Sequence, residues 1–155
     1  MKEYIISSTE KIKLVEFGTV DYDHIVDLRY EILRRPLKLN FTSRQLAEEK
    51  NFYHLGYYYN NKLVACLMLV PENNGKMKMK QVAVANEFQG KGIGAKLVLT
   101  SENFAKEKGF GIMYCHARDK AIPFYKKLGY HSVGEMFEEV TIPHMEMEKQ
   151  LTQPD

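Results

Sequence analysis

Three glycines at alternate positions, Gly90, Gly92 and Gly94, constrain the fold of this chain more than any other feature. A strand pattern over Lys76–Val84 precedes them, and a helical pattern follows. Glycine tolerates positive φ angles and lets a ligand approach the backbone closely. The first amides of a helix lack partners within it and carry the positive end of its dipole. The glycine run therefore predicts a strand, a turn and a helix that bind phosphate oxygens.

Two common nucleotide loops do not fit this run. There is no Gly-Lys-Ser/Thr sequence, so a P-loop would lack its lysine and its magnesium-binding hydroxyl. The G-x-G-x-x-G spacing of dinucleotide folds is not met, and the run does not follow the first strand of a βαβ unit. An ordinary strand-to-helix turn, in which the glycines serve close packing, stays open on the run alone.

Length and charge narrow the class of protein. A chain of 155 residues predicts a single domain over residues 1–155, with its core at about 12–149. Its 45% hydrophobic content and net charge of +2 argue against disorder. The 22 basic residues are offset by 20 acidic ones, which argues against a nucleic-acid partner.

The apolar segments are too short for a membrane protein. No stretch approaches the roughly 20 apolar residues of a membrane span, and the polar N-terminus does not match a signal peptide. Cys66 and Cys115 both lie in apolar runs, which is typical of buried thiols in a reducing cytosol. We therefore expect a cytoplasmic protein with no membrane partner.

The order of local patterns predicts an α/β (α+β) fold. The sheet is expected to be mixed and mostly antiparallel, with about six to seven strands and about four flanking helices. Predicted helices cover residues 21–34, 42–50, 90–108 and 120–128; predicted strands cover residues 12–17, 52–59, 62–70, 76–84, 110–116, 131–139 and 144–148. Thr42 with Gln45 predicts a capping box, and Asp119 predicts an N-cap. The strand at 62–70 is apolar on both faces, which predicts burial on both.

A second motif accompanies the glycine run. Residues 121–130 read Ala-Ile-Pro-Phe-Tyr-Lys-Lys-Leu-Gly-Tyr, and residues 89–94 read Gln-Gly-Lys-Gly-Ile-Gly. The two segments resemble the A-x-x-F-Y-x-K-x-G-F/Y and Q/R-x-x-G-x-G/A signatures of the GNAT N-acetyltransferase superfamily. They stand in the family's order and at about its usual separation, and the resemblance covers nearly the whole chain. Residues 142–147, Ile-Pro-His-x-x-Met, resemble the ElaA-like branch.

The resemblance implies an N-acetyltransferase that uses acetyl-CoA as cosubstrate. The acetyl group would pass directly to a primary amine of a small molecule or peptide, without a metal or a covalent intermediate. A homodimer stays open as an assembly. The alternative is a catalytically silent acetyl-CoA-binding sensor or interaction module.

Coenzyme contacts follow from the resemblance, position by position. Backbone amides of residues 89–95 would hold the pyrophosphate. The strand that precedes them would pair with the pantetheine arm through its backbone. The implied residues are Gln89, Gly90, Lys91, Gly92, Ile93, Gly94 and Ala95 for the pyrophosphate, Val82 and Val84 for the pantetheine arm, and Phe124 and Lys127 towards the pantetheine and nucleotide. Arg118 stands where many members carry asparagine, so that family contact with the pantetheine is not implied.

Two residues are the candidates for proton transfer. Tyr125 matches the family's tyrosine next to the coenzyme sulfur, which implies a general acid for the departing thiolate. His116 ends a predicted strand, and an imidazole suits the role of general base. Glu138, Glu139 and His144 are weaker candidates for the base, each more typical of an exposed or locally hydrogen-bonded group.

Two further hypotheses concern Cys115 and a basic segment. Cys115 could carry the acetyl group covalently, but its apolar strand position favours buried packing. Arg29, Arg34, Arg35 and Lys38 surround Pro36 in a region that walls the acceptor site in the family. These cations could select an anionic acceptor, or they could lie near the negative end of a helix dipole as a solvated helix end.

Overall fold

Eight strands of a mixed sheet carry the fold in the computed structural model, which describes residues 2–151. Residue 1 and residues 152–155 of the predicted domain lie outside the described residues. The strands are β1 (Glu3–Ile5), β2 (Glu10–Val15), β3 (Tyr53–Tyr59), β4 (Lys62–Pro71), β5 (Lys76–Val84), β6 (Ile112–Arg118), β7 (His131–Glu139) and β8 (Ile142–Gln150). The α-helices are α1 (Val20–Arg29), α2 (Ser43–Ala47), α3 (Ile93–Glu107) and α4 (Ile122–Lys127).

The sheet confirms the predicted α/β class. Its strand order is β1-β2-β3-β4-β5-β6-β8-β7. The pairs β1·β2, β2·β3, β3·β4, β6·β8 and β7·β8 are antiparallel, whereas β5·β6 is parallel. The strand count exceeds the predicted six to seven, because the three-residue strand β1 is too short to give a periodic pattern.

By compactness the described chain divides into two units. The first extends to Leu69 and resumes over Gln81–Ser101, and the second comprises Val70–Lys80 and the chain from Glu102 onward. In the first unit Val64–Leu69 of β4 are all buried, as the apolar run predicts. A cluster of Val15, Tyr22, Ile25, Cys66 and Ala83 forms a core there.

The first unit also contains a buried ion pair. Arg29 ends α1, is 1% exposed, and donates from both terminal nitrogens to Glu49, at 2.7 Å each. The Tyr22 hydroxyl donates to the same carboxylate at 2.8 Å, and Nε2 of His54 lies 3.0 Å from the Glu49 carbonyl oxygen. The pair joins the end of α1 to the short 3₁₀ turn Glu48–Asn51 that follows α2.

The structure shortens the first predicted helix and confirms the predicted capping box of the second. The predicted helix at 21–34 is α-helical only to Arg29; a π-turn over Tyr30–Arg34 and a 3₁₀ turn over Arg35–Leu37 follow. Pro36 lacks an amide hydrogen and cannot donate the bond of a regular helix, although Arg35 before it does adopt the α conformation, with φ −56° and ψ −44°. The capping box of Thr42 and Gln45 is confirmed, with N–H···O distances of 3.1 and 2.8 Å.

The N-cap prediction for Asp119 is wrong. Residues Asp119–Ala121 form a 3₁₀ turn, and α4 begins at Ile122 with no capping side chain among the described residues. Pro123 stands in the first turn of α4, where its fixed φ angle and missing amide hydrogen suit a helix start.

Candidate functional site

The glycine run forms an exposed turn between β5 and α3 in the first unit. A 3₁₀ turn over Asn86–Phe88 follows β5, and α3 begins at Ile93, three residues later than predicted. Gly90 and Gly92 have φ angles of 77° and 79°. Apart from the glycine itself and its two chain neighbours, no described residue has an atom within 4 Å of a Cβ built on either glycine. The two glycines are therefore needed for backbone conformation and not for close packing.

Gln89 braces the turn through its side chain. Its Nε2 donates to the Val84 carbonyl at 2.9 Å and to Oδ1 of Asn86 at 3.2 Å. Nζ of Lys91 lies 5.4 Å from the centre of the Phe88 ring. The amide of Lys96 donates to the Gly92 carbonyl at 3.1 Å, which closes the first turn of the 15-residue helix α3. The helix N-terminus thus follows a turn whose shape is fixed by local hydrogen bonds.

Strand β5 contains an irregularity that the sequence did not predict. Gln81, directly before Val82, has a φ angle of 56° within the strand. Its buried Oε1 has no hydrogen-bond partner within residues 2–151. A glutamine with positive φ carries no sequence signal, because only glycine, asparagine and aspartate adopt that region readily.

Tyr125 lies on α4 in the second unit and is 6% exposed. Burial, together with its interaction with Cys115, raises the pKa of Tyr125 well above its ordinary value. Its hydroxyl is hydrogen-bonded to the Cys115 thiol. Phe124 packs edge-on against its ring at 5.0 Å, whereas Lys127 is exposed. Tyr125 is therefore a protonated phenol in a fixed orientation.

Tyr125 packs against Tyr130, which belongs to a charged hydrogen-bond network. The Tyr130 ring packs edge-on against Tyr125 at 5.5 Å, and the Tyr130 hydroxyl donates to Glu102 at 2.8 Å. Lys149 donates to the other oxygen of Glu102 at 2.8 Å and to the Leu128 carbonyl at 2.7 Å. These partners lie far apart in the chain, so no local pattern predicts the network.

Both cysteines are buried free thiols, as their apolar positions predict. Burial raises the pKa of each thiol, Cys66 and Cys115, to about 12. Since the thiolate is the nucleophile, neither residue is suited to form an acetyl-enzyme near neutral pH.

This gives a simple prediction for thiol reactivity. The native protein at pH 7.5 is expected to react with an aromatic disulfide reagent only slowly, through transient opening. In concentrated urea both thiols should react at once. Fast stoichiometric reaction of a native thiol would contradict the inert assignment of Cys115 or Cys66, and a Cys66→Ala variant would tell which.

His116 lies on β6 beside two of the weaker base candidates. Its Nδ1 is 3.0 Å from Oε1 of Glu139, and Oε2 of Glu139 is 3.9 Å from Nε2 of His144. Glu138 is exposed on the same strand as Glu139. The structure therefore brings three of the predicted candidates together in the second unit. Burial lowers the pKa of Arg118, which precedes the 3₁₀ turn at the end of β6.

The basic segment is not a set of four free cations. Arg29 is committed to Glu49, and Arg35 pairs with Glu31 at 2.9 Å. The guanidinium carbons of Arg29 and Arg34 each lie 4.6 Å from the centre of the Phe41 ring. Arg29 is therefore removed from the residues that could select an anionic acceptor.

Residues 2–151 contain neither a metal-ligand cluster nor a membrane-spanning helix. Within that range, no three or more His, Cys, Asp or Glu side chains are grouped so that they could hold a metal ion. None of the helices described there has the length and apolar character needed to cross a membrane.

The glycine turn thus stands at the start of α3 in the first unit, and the buried Tyr125 stands on α4 in the second. The family model described as Acetyltransferase (GNAT) domain matches residues 33–151. The chain therefore belongs to the GNAT acetyltransferase family and is an acyltransferase. The predicted family and fold are confirmed.

The individual proteins that resemble this chain share only about a fifth of its residues. The chain is 23% identical over 131 residues to the uncharacterized N-acetyltransferase YitI of Bacillus subtilis, covering 81% of this chain and 88% of YitI. Among solved structures, an acyl-CoA N-acyltransferase from Pseudomonas aeruginosa has a TM-score of 0.78 at 19% identity, covering 91% and 99% of the two chains. ElaA of Escherichia coli has a TM-score of 0.78 at 17% identity, covering 90% and 99%. An aminoglycoside 6'-N-acetyltransferase complexed with coenzyme A has a TM-score of 0.78 at 18% identity, covering 93% and 99%.

Proposed function

We propose that this acetyltransferase takes its acetyl group from acetyl-CoA and passes it to a primary amine of a small molecule or peptide. The observation that carries the proposal is the glycine turn before α3, whose positive φ angles at Gly90 and Gly92 serve no packing need. A turn of that kind at a helix N-terminus binds phosphate oxygens, as a coenzyme pyrophosphate requires. A structural neighbour with coenzyme A bound supports the same donor.

The coenzyme contacts are proposed for the residues that the family motifs indicate. Amides of the turn and of the first residues of α3 would hold the pyrophosphate, and Lys91 would add a screened positive charge. The end of β5 would pair with the pantetheine arm through its backbone. The proposed residues are Val82, Val84, Gln89, Gly90, Lys91, Gly92, Ile93, Gly94, Ala95, Phe124 and Lys127.

Tyr125 and His116 are proposed as acid and base of a direct transfer. The amine nitrogen attacks the thioester carbonyl carbon and gives a proton to His116. The carbon–sulfur bond then breaks, and the Tyr125 hydroxyl donates its proton to the departing thiolate. The phenol of Tyr125 holds its proton near neutral pH, as a general acid must before the thiolate departs. An amide near Val84 would polarise the carbonyl.

Thermal unfolding with saturating ligands tests the donor. A ligand at a hundred times its dissociation constant stabilises the folded state by about 2.7 kcal/mol. At roughly 2–4 °C per kcal/mol for a chain of this size, Tm should rise by about 5–10 °C with acetyl-CoA or coenzyme A. ATP and NAD at the same concentration should give smaller shifts. No shift with either coenzyme would contradict the proposed donor.

A matched pair of glycine variants locates the binding site. Gly92→Val should weaken acetyl-CoA binding at least tenfold, because a side chain there projects from the turn and strains its φ of 79°. Gly18→Val carries comparable strain at φ 81°, again with no described atom beyond its chain neighbours within 4 Å of its Cβ, but lies outside the proposed coenzyme contacts. Both variants should lose about 1–2 kcal/mol of unfolding free energy. Equal affinities by calorimetry in both variants would remove the turn from the coenzyme site.

Transfer to a panel of amines separates the enzyme from the silent sensor. Coenzyme binding with turnover of any amine supports the proposed reaction. Binding with no turnover across polyamines, amino sugars and lysine peptides would favour the sensor.

A further inference from the structure

A carboxylate fixes the orientation of His116. The ring lies on β6 opposite Glu146 of β8, and its Nδ1 is 3.0 Å from Oε1 of Glu139 on β7. A carboxylate can only accept a hydrogen bond, so Nδ1 must carry the proton. The neutral ring then keeps its lone pair on Nε2, which is the nitrogen able to accept a proton from a substrate.

The Glu139 carboxylate also faces a second imidazole. Its Oε2 is 3.9 Å from Nε2 of His144, a residue that is 3% exposed. Nδ1 of His144 lies 2.7 Å from the Ile142 carbonyl oxygen, to which it donates. The Phe137 ring packs edge-on against His116 at 5.0 Å and stacks on His144 at 6.1 Å. Aromatic packing therefore limits rotation of both imidazoles around Glu139.

The charges around the pair favour an ionised Glu139. Partial burial opposes its ionisation, but the hydrogen bond from His116 and the charges of His116, His144 and Lys78 outweigh burial and lower the pKa of Glu139. Oε1 of Glu146 lies 3.8 Å from Nε2 of His116. The titratable or charged groups that face His116 and Glu139 are Lys78 on β5, Tyr114 on β6, and His144 and Glu146 on β8.

We propose that Glu139 is a positioning residue for acetyl transfer: it holds His116 with its proton on Nδ1 and stabilises the imidazolium formed when Nε2 takes the amine proton. The inference rests on the proposed function, in which His116 is the base. Glu146, beside Nε2, adds a second negative charge that stabilises the same imidazolium. The three side chains Glu139, His116 and Glu146 come from β7, β6 and β8, which are neighbours in the sheet.

The first test is kcat/KM for the amine at saturating acetyl-CoA. Glu139→Gln should lower kcat/KM about 10- to 100-fold, part of the 10²–10⁴ that general base catalysis contributes. Glu139→Asp should recover part of the rate. Glu135→Gln, which changes an exposed glutamate on the same strand, should stay within twofold of wild type.

A readout independent of turnover completes the test. Nitrogen-15 spectra of the imidazole rings at pH 8 should show His116 protonated on Nδ1 in the wild type, with a mixture of tautomers in Glu139→Gln. An unchanged tautomer and an unchanged kcat/KM in that variant would overturn the positioning role while leaving the transferase intact. No transfer by the wild type to any amine would overturn the proposed function and this inference together. Since Glu139 is half exposed, the variant is expected to fold, and its Tm checks this.

Discussion

Replacing Tyr125 with phenylalanine is expected to lower kcat by about 100-fold or more while leaving the dissociation constant of acetyl-CoA within twofold. A general acid contributes about 10²–10⁴ to the rate of the step it assists. The ring stays buried between Phe124 and Tyr130, so the packing of α4 should persist without the hydroxyl. The measurement is steady-state turnover, with coenzyme affinity by calorimetry. The loss should shrink with an acetyl donor whose thiol leaves more readily.

Tyr130→Phe is the matched control. It also removes the hydroxyl of a buried tyrosine, but that hydroxyl donates to Glu102 and has no proposed role with the coenzyme. It should cost about 1–3 kcal/mol of unfolding free energy, since a buried charged acceptor loses a donor, with turnover reduced only a few-fold. Equal turnover in Tyr125→Phe and the wild type would remove the acid role. Equal losses in both variants would assign the effect to packing of α4.

Replacing Glu49 with alanine is expected to destabilise the chain by about 3–5 kcal/mol. Removing one partner of a buried ion pair leaves the other charge without compensation. Arg29 is 1% exposed, and within residues 2–151 its Nε has no hydrogen-bond partner even with Glu49 present. The Tyr22 hydroxyl would lose its acceptor as well. Urea unfolding monitored by circular dichroism measures the change.

Two further variants test whether the loss of stability comes from leaving a buried charge unpaired. Glu31→Ala breaks the exposed pair with Arg35 and should change the unfolding free energy by only about 0.5 kcal/mol. The double variant Arg29→Met/Glu49→Leu should regain most of the stability that Glu49→Ala loses, because no unpaired charge remains buried. A Glu49→Ala change as small as that of Glu31→Ala would contradict the buried pair.

The same pair sets a direction for acid unfolding. Burial alone would raise the pKa of Glu49, but the hydrogen bonds and charge of Arg29 outweigh it, so the folded-state pKa is lowered from 4.5. A lowered folded pKa means that the stabilisation is complete above the unfolded value and is lost as pH falls through the folded value. Wild-type stability should therefore fall below about pH 4.5, and the fall should be shallower in Arg29→Met/Glu49→Leu.

Local patterns predicted most of the elements and both family motifs. The capping box at Thr42 and Gln45 was readable because its two partners lie three residues apart. The glycine turn was readable because positive φ angles select glycine at Gly90 and Gly92. Local patterns were wrong or silent at three kinds of place: the very short strand β1, the ends of helices, as at Arg29 and Ile93, and the positive φ angle of Gln81 within β5.

The sequence by itself determined the family, the order of all strands after β1 and of the helices, and the candidates for coenzyme binding, because these depend on spacing over a few residues. Tertiary structure alone decided which charges are free. The sequence placed Arg29 among the cations that could bind an acceptor, but it pairs with Glu49, which is 20 residues away in the chain. The orientation of His116 depends on its contact with Glu139, 23 residues away. Burial and pairing between distant segments set the energy of a charged group, and neither can be read from its neighbours in the chain.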